Sequence, residues 1–284
     1  MERLVGDHSL LITHVWGTKC NLKCDFCLNE GYNNLEENRE KNFKITDVLA
    51  EISNNFDDII YVDHGGELLY CSYFQELFDY KIKNIKNYKS FLFSNGTNSK
   101  KYVDFMESES SNYIIPFLSY HLEYMNPTQY KNFFECCDYL QKRYGVVNIA
   151  LVYHKKLDFE LFEEKLNPLK KYNTKIKVFF DFKLKEIDYY KSFKYMKYLD
   201  NNFNYYSMCE SELFDNFIKI PESYLKPPKD LVRAHNIEIE CVNDFTRIIS
   251  KYGETEHKNF ENFRAELIKI IKNYDRTEIA NMRY

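Results

Sequence analysis

Three cysteines stand within one short stretch, Cys20-Asn-Leu-Lys-Cys24-Asp-Phe-Cys27, directly after an apolar run, Ser9–Trp16. Thiolates are soft ligands, and three on one loop can converge on a metal centre, either zinc or an iron–sulfur cluster. Structural zinc ordinarily takes a fourth protein ligand, commonly as two Cys-x2-Cys pairs, and no second pair with that spacing occurs. A [4Fe–4S] cluster with one iron left open uses the triplet as it stands.

The other residues with chemical potential fall where apolar runs end. His64-Gly65-Gly66-Glu67 closes the run Asp58–Asp63, and Ser94-Asn95-Gly96-Thr97 closes Ser90–Phe93. Ser119, His121 and Glu123 follow Tyr113–Tyr120, Tyr153 and His154 end Val146–Tyr153, and Asp181 lies in Ile176–Phe182. Taken singly, each is an ordinary turn, helix-entry or surface residue.

The elements that must position these residues alternate between strand-like runs and segments of helical period. Ile45, Val48, Leu49, Ile52 and Phe56 form a 3.6-residue stripe, and a second helix fits Tyr73–Tyr80. Ser99 is placed to cap a third helix. Asn126-Pro127 opens a fourth, and Gly145 stands where it should stop. A fifth fits Phe159, Phe162, Leu166 and Leu169. Six strand-then-helix units predict parallel strands with right-handed crossovers, too few for a closed eight-stranded barrel. The expected fold is therefore α/β: a partial (β/α)6 barrel of the TIM type over residues 1–200, with a C-terminal α+β extension over 201–284 covering it. Ligands gather beyond the carboxyl ends of parallel strands, which is where the cysteine loop lies.

The 284 residues carry 39 Lys+Arg against 43 Asp+Glu, so no basic excess is available for a nucleic-acid partner. No run of about 18 apolar residues predicts a membrane span. The N-terminus lacks the apolar core of an export signal, so reduced cysteines and a cytoplasmic location are expected. Of the eight cysteines, Cys137 and Cys241 fall on apolar faces and read as core thiols, Cys136 points off that face, and Cys71 and Cys209 are unassigned. With 25 Tyr and 23 Phe, aromatic rings must supply much of the core and of any pocket lining.

The triplet after a first strand, with Phe26 before its third cysteine, resembles the signature of the radical SAM superfamily. The resemblance spans roughly Ser9 to Phe182. It implies that Cys20, Cys24 and Cys27 hold a [4Fe–4S] cluster whose open iron binds S-adenosylmethionine (SAM), cleaved reductively to a 5′-deoxyadenosyl radical that abstracts a hydrogen atom. Gly65-Gly66-Glu67 is similar to the family's GGE motif, which implies contact with the methionyl end of SAM. Leu68 departs from the proline usual there. Ser94 and Asn95 match a TNG-type segment, and Ser119, His121 and Glu123 stand where the family places polar contacts to SAM. Phe26 and Leu151 are assigned loosely to adenine, although strand five lacks the family's glycines.

Further expectations concern substrate and partners. His64, Tyr153, His154 and Asp181 are candidates for lining a substrate cavity, and Cys209 for a hydrogen-atom donor. The resemblance implies a low-potential electron donor of the flavodoxin or ferredoxin type. A small metabolite or sugar-type substrate is expected, since no peptide-recognition module or twin-cluster domain is visible. A peptide-modifying maturase or epimerase is the alternative, and a non-catalytic zinc or iron–sulfur protein is the alternative of another class.

Overall fold

Apolar runs bounded by turn residues become strands here, and the longer periodic segments between them become the crossover helices. The computed structural model describes residues 10–27, 35–54, 59–121, 123–154, 156–180, 186–207, 236–241, 246–250 and 252–273. Strands β1 (Leu10–Val15), β2 (Ile59–His64), β3 (Ser90–Ser94), β4 (Ile114–Ser119), β5 (Val147–Tyr153) and β6 (Thr174–Phe180) pair in sequence order, all parallel. Helices α1 (Leu35–Ser53), α2 (Phe74–Asn84), α3 (Ser99–Glu107), α4 (Pro127–Tyr144), α5 (Phe159–Leu166) and α6 (Glu186–Asn202) follow them in turn.

A seventh strand, β7 (Asn204–Ser207), pairs parallel with β6. The alternation expected to fade near residue 200 therefore runs one strand further, and the expected boundary falls inside α6. The extension then returns to the opposite edge. Its strand β8 (Asn236–Cys241) pairs parallel with β1, and β9 (Thr246–Ser250) and β10 (Gly253–His257) continue as an antiparallel hairpin before helix α7 (Phe260–Asn273). The result is a ten-stranded sheet, β10-β9-β8-β1-β2-β3-β4-β5-β6-β7. The described part of the extension thus lengthens the sheet beside the strand that carries the cysteine loop.

Two apolar layers flank the strands. The larger lies under the helices and includes Ile12, Leu49, Phe78, Phe133, Ile149 and Leu166. The smaller lines the concave face: Phe91, Phe117 and Ala150, with Ile60, Val62, Phe93, Ile115 and Phe179 against them. Period-two alternation assigns one set of residues on each strand to each layer.

Local chemistry fixes the helix ends. Asn126 accepts from the Gln129 amide while the Gln129 side chain returns to the Asn126 N–H, a complete capping box with Pro127 in the first turn. Gly145 ends α4 in the left-handed region at φ 70°. At α3 the cap is Asn98, whose side chain accepts from Lys101 N, and not Ser99. Helix α1 starts at Leu35, well before the apolar stripe that begins at Ile45, because its buried asparagines Asn38 and Asn42 are polar in sequence yet face inward. Cys136, expected to point away from the core, is buried with its thiol against the Gly96 carbonyl at 3.5 Å.

Candidate cluster and cofactor site

The loop after β1 is held from two sides. Trp16 N donates to His64 O at 2.9 Å, Thr18 N to Gly65 O at 3.2 Å and Glu67 N to Lys19 O at 3.1 Å, so the β1–β2 pairing continues past both strand ends. The Thr18 hydroxyl also donates to Gly65 O. From the helix layer, Asn38 Nδ2 reaches Gly17 O at 2.9 Å and Asn42 Nδ2 reaches Trp16 O at 3.0 Å. Gly66 has φ 76°, and a Cβ there would lie 2.0 Å from Thr18 O. What the Gly65-Gly66 backbone approaches is the stem of the cysteine loop, and only glycine permits that approach.

Glu67 is almost fully buried, and its carboxylate accepts from Ser94 Oγ at 2.8 Å, Asn95 N at 2.5 Å and Leu69 N at 3.4 Å. Burial outweighs these donors and pushes its carboxyl up to about 7. Glu67 therefore ties the end of β2 to the end of β3, and Ser94 is spent on that tie.

Asn95 extends the tie to the cysteines. Its Nδ2 lies 3.7 Å from Cys20 Sγ and 2.9 Å from Asn21 Oδ1, while its Oδ1 accepts from Thr97 N at 3.0 Å. Asn21 Nδ2 closes the circuit by donating to Thr97 Oγ1 at 2.8 Å. Cys20 also receives the Leu22 N–H at 3.4 Å. Two N–H groups aimed at one sulfur suit a thiolate that holds a metal centre.

Cys20, Cys24 and Cys27 are not in disulfides. Burial first, then the neighbouring anionic groups, pushes the Cys20 thiol up to about 11 and raises Cys24 further. The three sulfurs are near enough to repel one another as thiolates, so a cationic partner is what would make them ionise together. Three soft thiolate donors on one loop fit a [4Fe–4S] cluster, which would take each of them on a different iron.

Beyond Cys24 the loop packs into an aromatic group. Phe26 stacks on His121 at 5.8 Å between centroids and lies 4.9 Å from the His154 ring, with Tyr124 edge-on at 5.7 Å. His121 Nδ1 is 3.5 Å from Cys24 Sγ, and burial holds this imidazole down to about 4, so it is neutral at pH 7. His154 Nε2 lies 3.3 Å from a Glu123 carboxylate oxygen. The structure thus brings Phe26, His121, Glu123 and His154 into one cluster beside the cysteine loop. Ser119 shares a lateral row with Ala150 of β5, both on the concave face above Phe117.

Other expected site residues lie elsewhere. Leu151 belongs to the core under the helices, and Tyr153 packs edge-on against Tyr195 of α6 at 5.0 Å. Both point away from the concave face, so the adenine assignment of Leu151 and the cavity assignment of Tyr153 are corrected. The reason is strand parity: Ala150 and Val152, not Leu151 and Tyr153, alternate inward on β5. His64 continues the inward row of Ile60 and Val62, its imidazole lowered to about 4 by burial. Asp181 and Cys209 lie outside the described residues.

Sequence reasoning missed Asn21, Thr97, Asn38 and Asn42, which carry the loop's hydrogen bonds. Asn-Gly-Thr after β3 was a visible signal for Thr97; the buried asparagines of α1 left none.

No family model matches the chain, and no curated protein matches it in sequence. Solved structures do. SuiB of Streptococcus suis bound to S-adenosylmethionine aligns at a TM-score of 0.55 and 17% identity, over 84% of this chain and 60% of that one. A second structure of SuiB gives 0.54 at 17% identity, over 85% and 60%. SuiB bound to the precursor peptide SuiA gives 0.53 at 18% identity, over 84% and 59%. At these identities the likeness to SuiB is one of fold, and this chain spans 60% of the SuiB length. No described helix is long and apolar enough to cross a membrane.

Proposed function

We propose that the chain is a radical SAM enzyme whose cluster is held by Cys20, Cys24 and Cys27. The observation that carries this reading is the triplet at the carboxyl end of β1, stapled through Gly65, Glu67 and Asn95 to the next two strands. A [4Fe–4S] cluster held there would supply the one-electron chemistry for reductive cleavage of SAM and hydrogen-atom abstraction from the substrate. The protein's own part is to bind, orient and shield. Asn95 and the Leu22 N–H support the Cys20 sulfur, and neutral His121 packs Phe26 against the far side of the loop. Ser119 is the candidate for a contact to SAM, supported by its row on the concave face at the end of β4. A small reductant protein of flavodoxin or ferredoxin type would deliver the electron at the exposed Cys20 side.

The substrate favoured here is a small molecule entering the aromatic concave face. A peptide substrate is the second reading, supported by the likeness to SuiB bound to the precursor peptide SuiA. The test is anaerobic reconstitution with iron and sulfide, followed by reduction in the presence of SAM. About four irons per chain and slow 5′-deoxyadenosine formation are expected. Verified cluster assembly with no SAM cleavage would overturn the reading, as would stoichiometric zinc. Deuterium transfer from labelled metabolites or peptides into 5′-deoxyadenosine decides between the two substrates.

A further inference from the structure

The concave face carries one cation in an unusual setting. Lys177 stands on β6 in the same lateral row as Ala150 and, through it, Ser119. Its Nζ lies 5.4 Å from the Phe91 ring centroid, 5.6 Å from Phe117 and 5.8 Å from Phe179. Two of these rings come from β3 and β4, so the side chain reaches across the concave face, while Phe179 lies beside it on β6. Burial holds the amine down to about 8, with no charged neighbour contributing among the described residues. None of the inward positions on β2 to β6 is an acid.

An ammonium so placed is partly compensated by the ring faces, each of which attracts a cation. The rings offer no hydrogen-bond acceptor, and none among the described residues is paired with the amine. A surface lysine would reach water along its flexible stem; here three phenylalanines surround its end. An apolar pocket with one directed polar group is what orients a bound small molecule.

We propose that Lys177 is the anion-recognition group of the substrate cavity, taking a carboxylate or phosphate on a substrate with an apolar body. The inference rests on the reading of the concave face as a substrate cavity. The anion docks between Phe91 and Phe117 and accepts a charge-assisted hydrogen bond from Nζ, while the apolar body lies against Phe93 and Phe179. The reacting carbon then points toward the Ser119 end of the row and the cysteine loop.

The test is trace acylation of lysines in the reconstituted full chain, mapped by peptide mass spectrometry. The probes are phenyl phosphate and phenylacetate, with phenylacetamide as the uncharged control. At least one anion should slow labelling of Lys177 severalfold while phenylacetamide does not; which anion does so assigns phosphate or carboxylate. Calorimetry should show roughly tenfold or weaker binding of that anion to Lys177→Met, with Lys177→Arg retaining most of the affinity. Labelling of Lys177 that ignores both anions, or equal protection by phenylacetamide, would overturn the proposal. Substrate-free 5′-deoxyadenosine formation by the unaltered chain is measured on the same preparation. Its absence alongside intact anion protection would sink the radical SAM reading and leave the anion site standing.

Discussion

The side-chain amide of Asn95, at the end of β3, donates to the thiol of Cys20 across 3.7 Å. One strand, β2, separates these residues in the sheet, so the contact makes the position of the first cysteine depend on the whole β1–β3 stack. The Glu67 carboxylate completes the dependence by binding the Asn95 backbone N–H.

Hydrogen bonds to cluster sulfurs raise the reduction potential by stabilising the electron-rich state. Asn95→Leu should therefore lower the potential, by about 40 mV if the bond is worth about 1 kcal/mol. Redox titration followed by electron paramagnetic resonance checks this; an unchanged potential would show that Asn95 only shapes the loop.

Gly66→Ala is expected to destabilise the chain by more than about 3 kcal/mol, through strain at positive φ and collision with the Thr18 carbonyl. Gly145→Ala is the control, since it also has positive φ but nothing within 4 Å of an added Cβ. It should cost only about 1 kcal/mol. Urea unfolding of the two variants gives the comparison.

Asp63 accepts from Lys81, Tyr88, Ser90 and the Trp16 indole, all buried beneath the β1 and β2 ends. Burial alone would raise its carboxyl, but the Lys81 ammonium and these donors win and hold it at about 2, below its ordinary 3.8. A depressed folded value means stability present above about pH 4 and lost as pH falls through 2, on the order of 2 kcal/mol. Asp63→Ala should cost about 3–5 kcal/mol by stranding the Lys81 charge. Adding Lys81→Met should recover a large part of that loss in the same denaturant assay.

Cys24→Ala, and likewise Cys20→Ala or Cys27→Ala, should abolish both the reconstituted iron–sulfur absorbance and 5′-deoxyadenosine formation. Far-ultraviolet circular dichroism should stay near that of the unaltered chain, because the sheet's apolar layers do not depend on the metal. Full SAM cleavage by any of the three would remove that cysteine from the ligand set.

Much of this was legible in one dimension. Cysteine spacing, glycine pairs after apolar runs and the alternation of strand with helix are local properties. They located the loop, the β2 and β3 turns and six of the parallel strands. Asn126, Pro127 and Gly145 marked α4 to the residue, because caps depend on backbone conformation within a single turn.

What tertiary structure decided was direction and return. A strand buried on both faces reads as an unbroken apolar run, so the sequence does not say which parity faces the helices. Hence Leu151 and Tyr153, placed by sequence at the site, point into the helix layer, and Lys177, unremarked within an apolar run, reaches the three rings. Nor does local pattern tell a strand which edge to join: β8 crosses back to β1 because the exposed edge there pairs with its backbone. Glu67 shows the same division. Its position after the glycines was readable, but that its carboxylate would be buried on Ser94 and Asn95 followed only once β2 and β3 lay side by side.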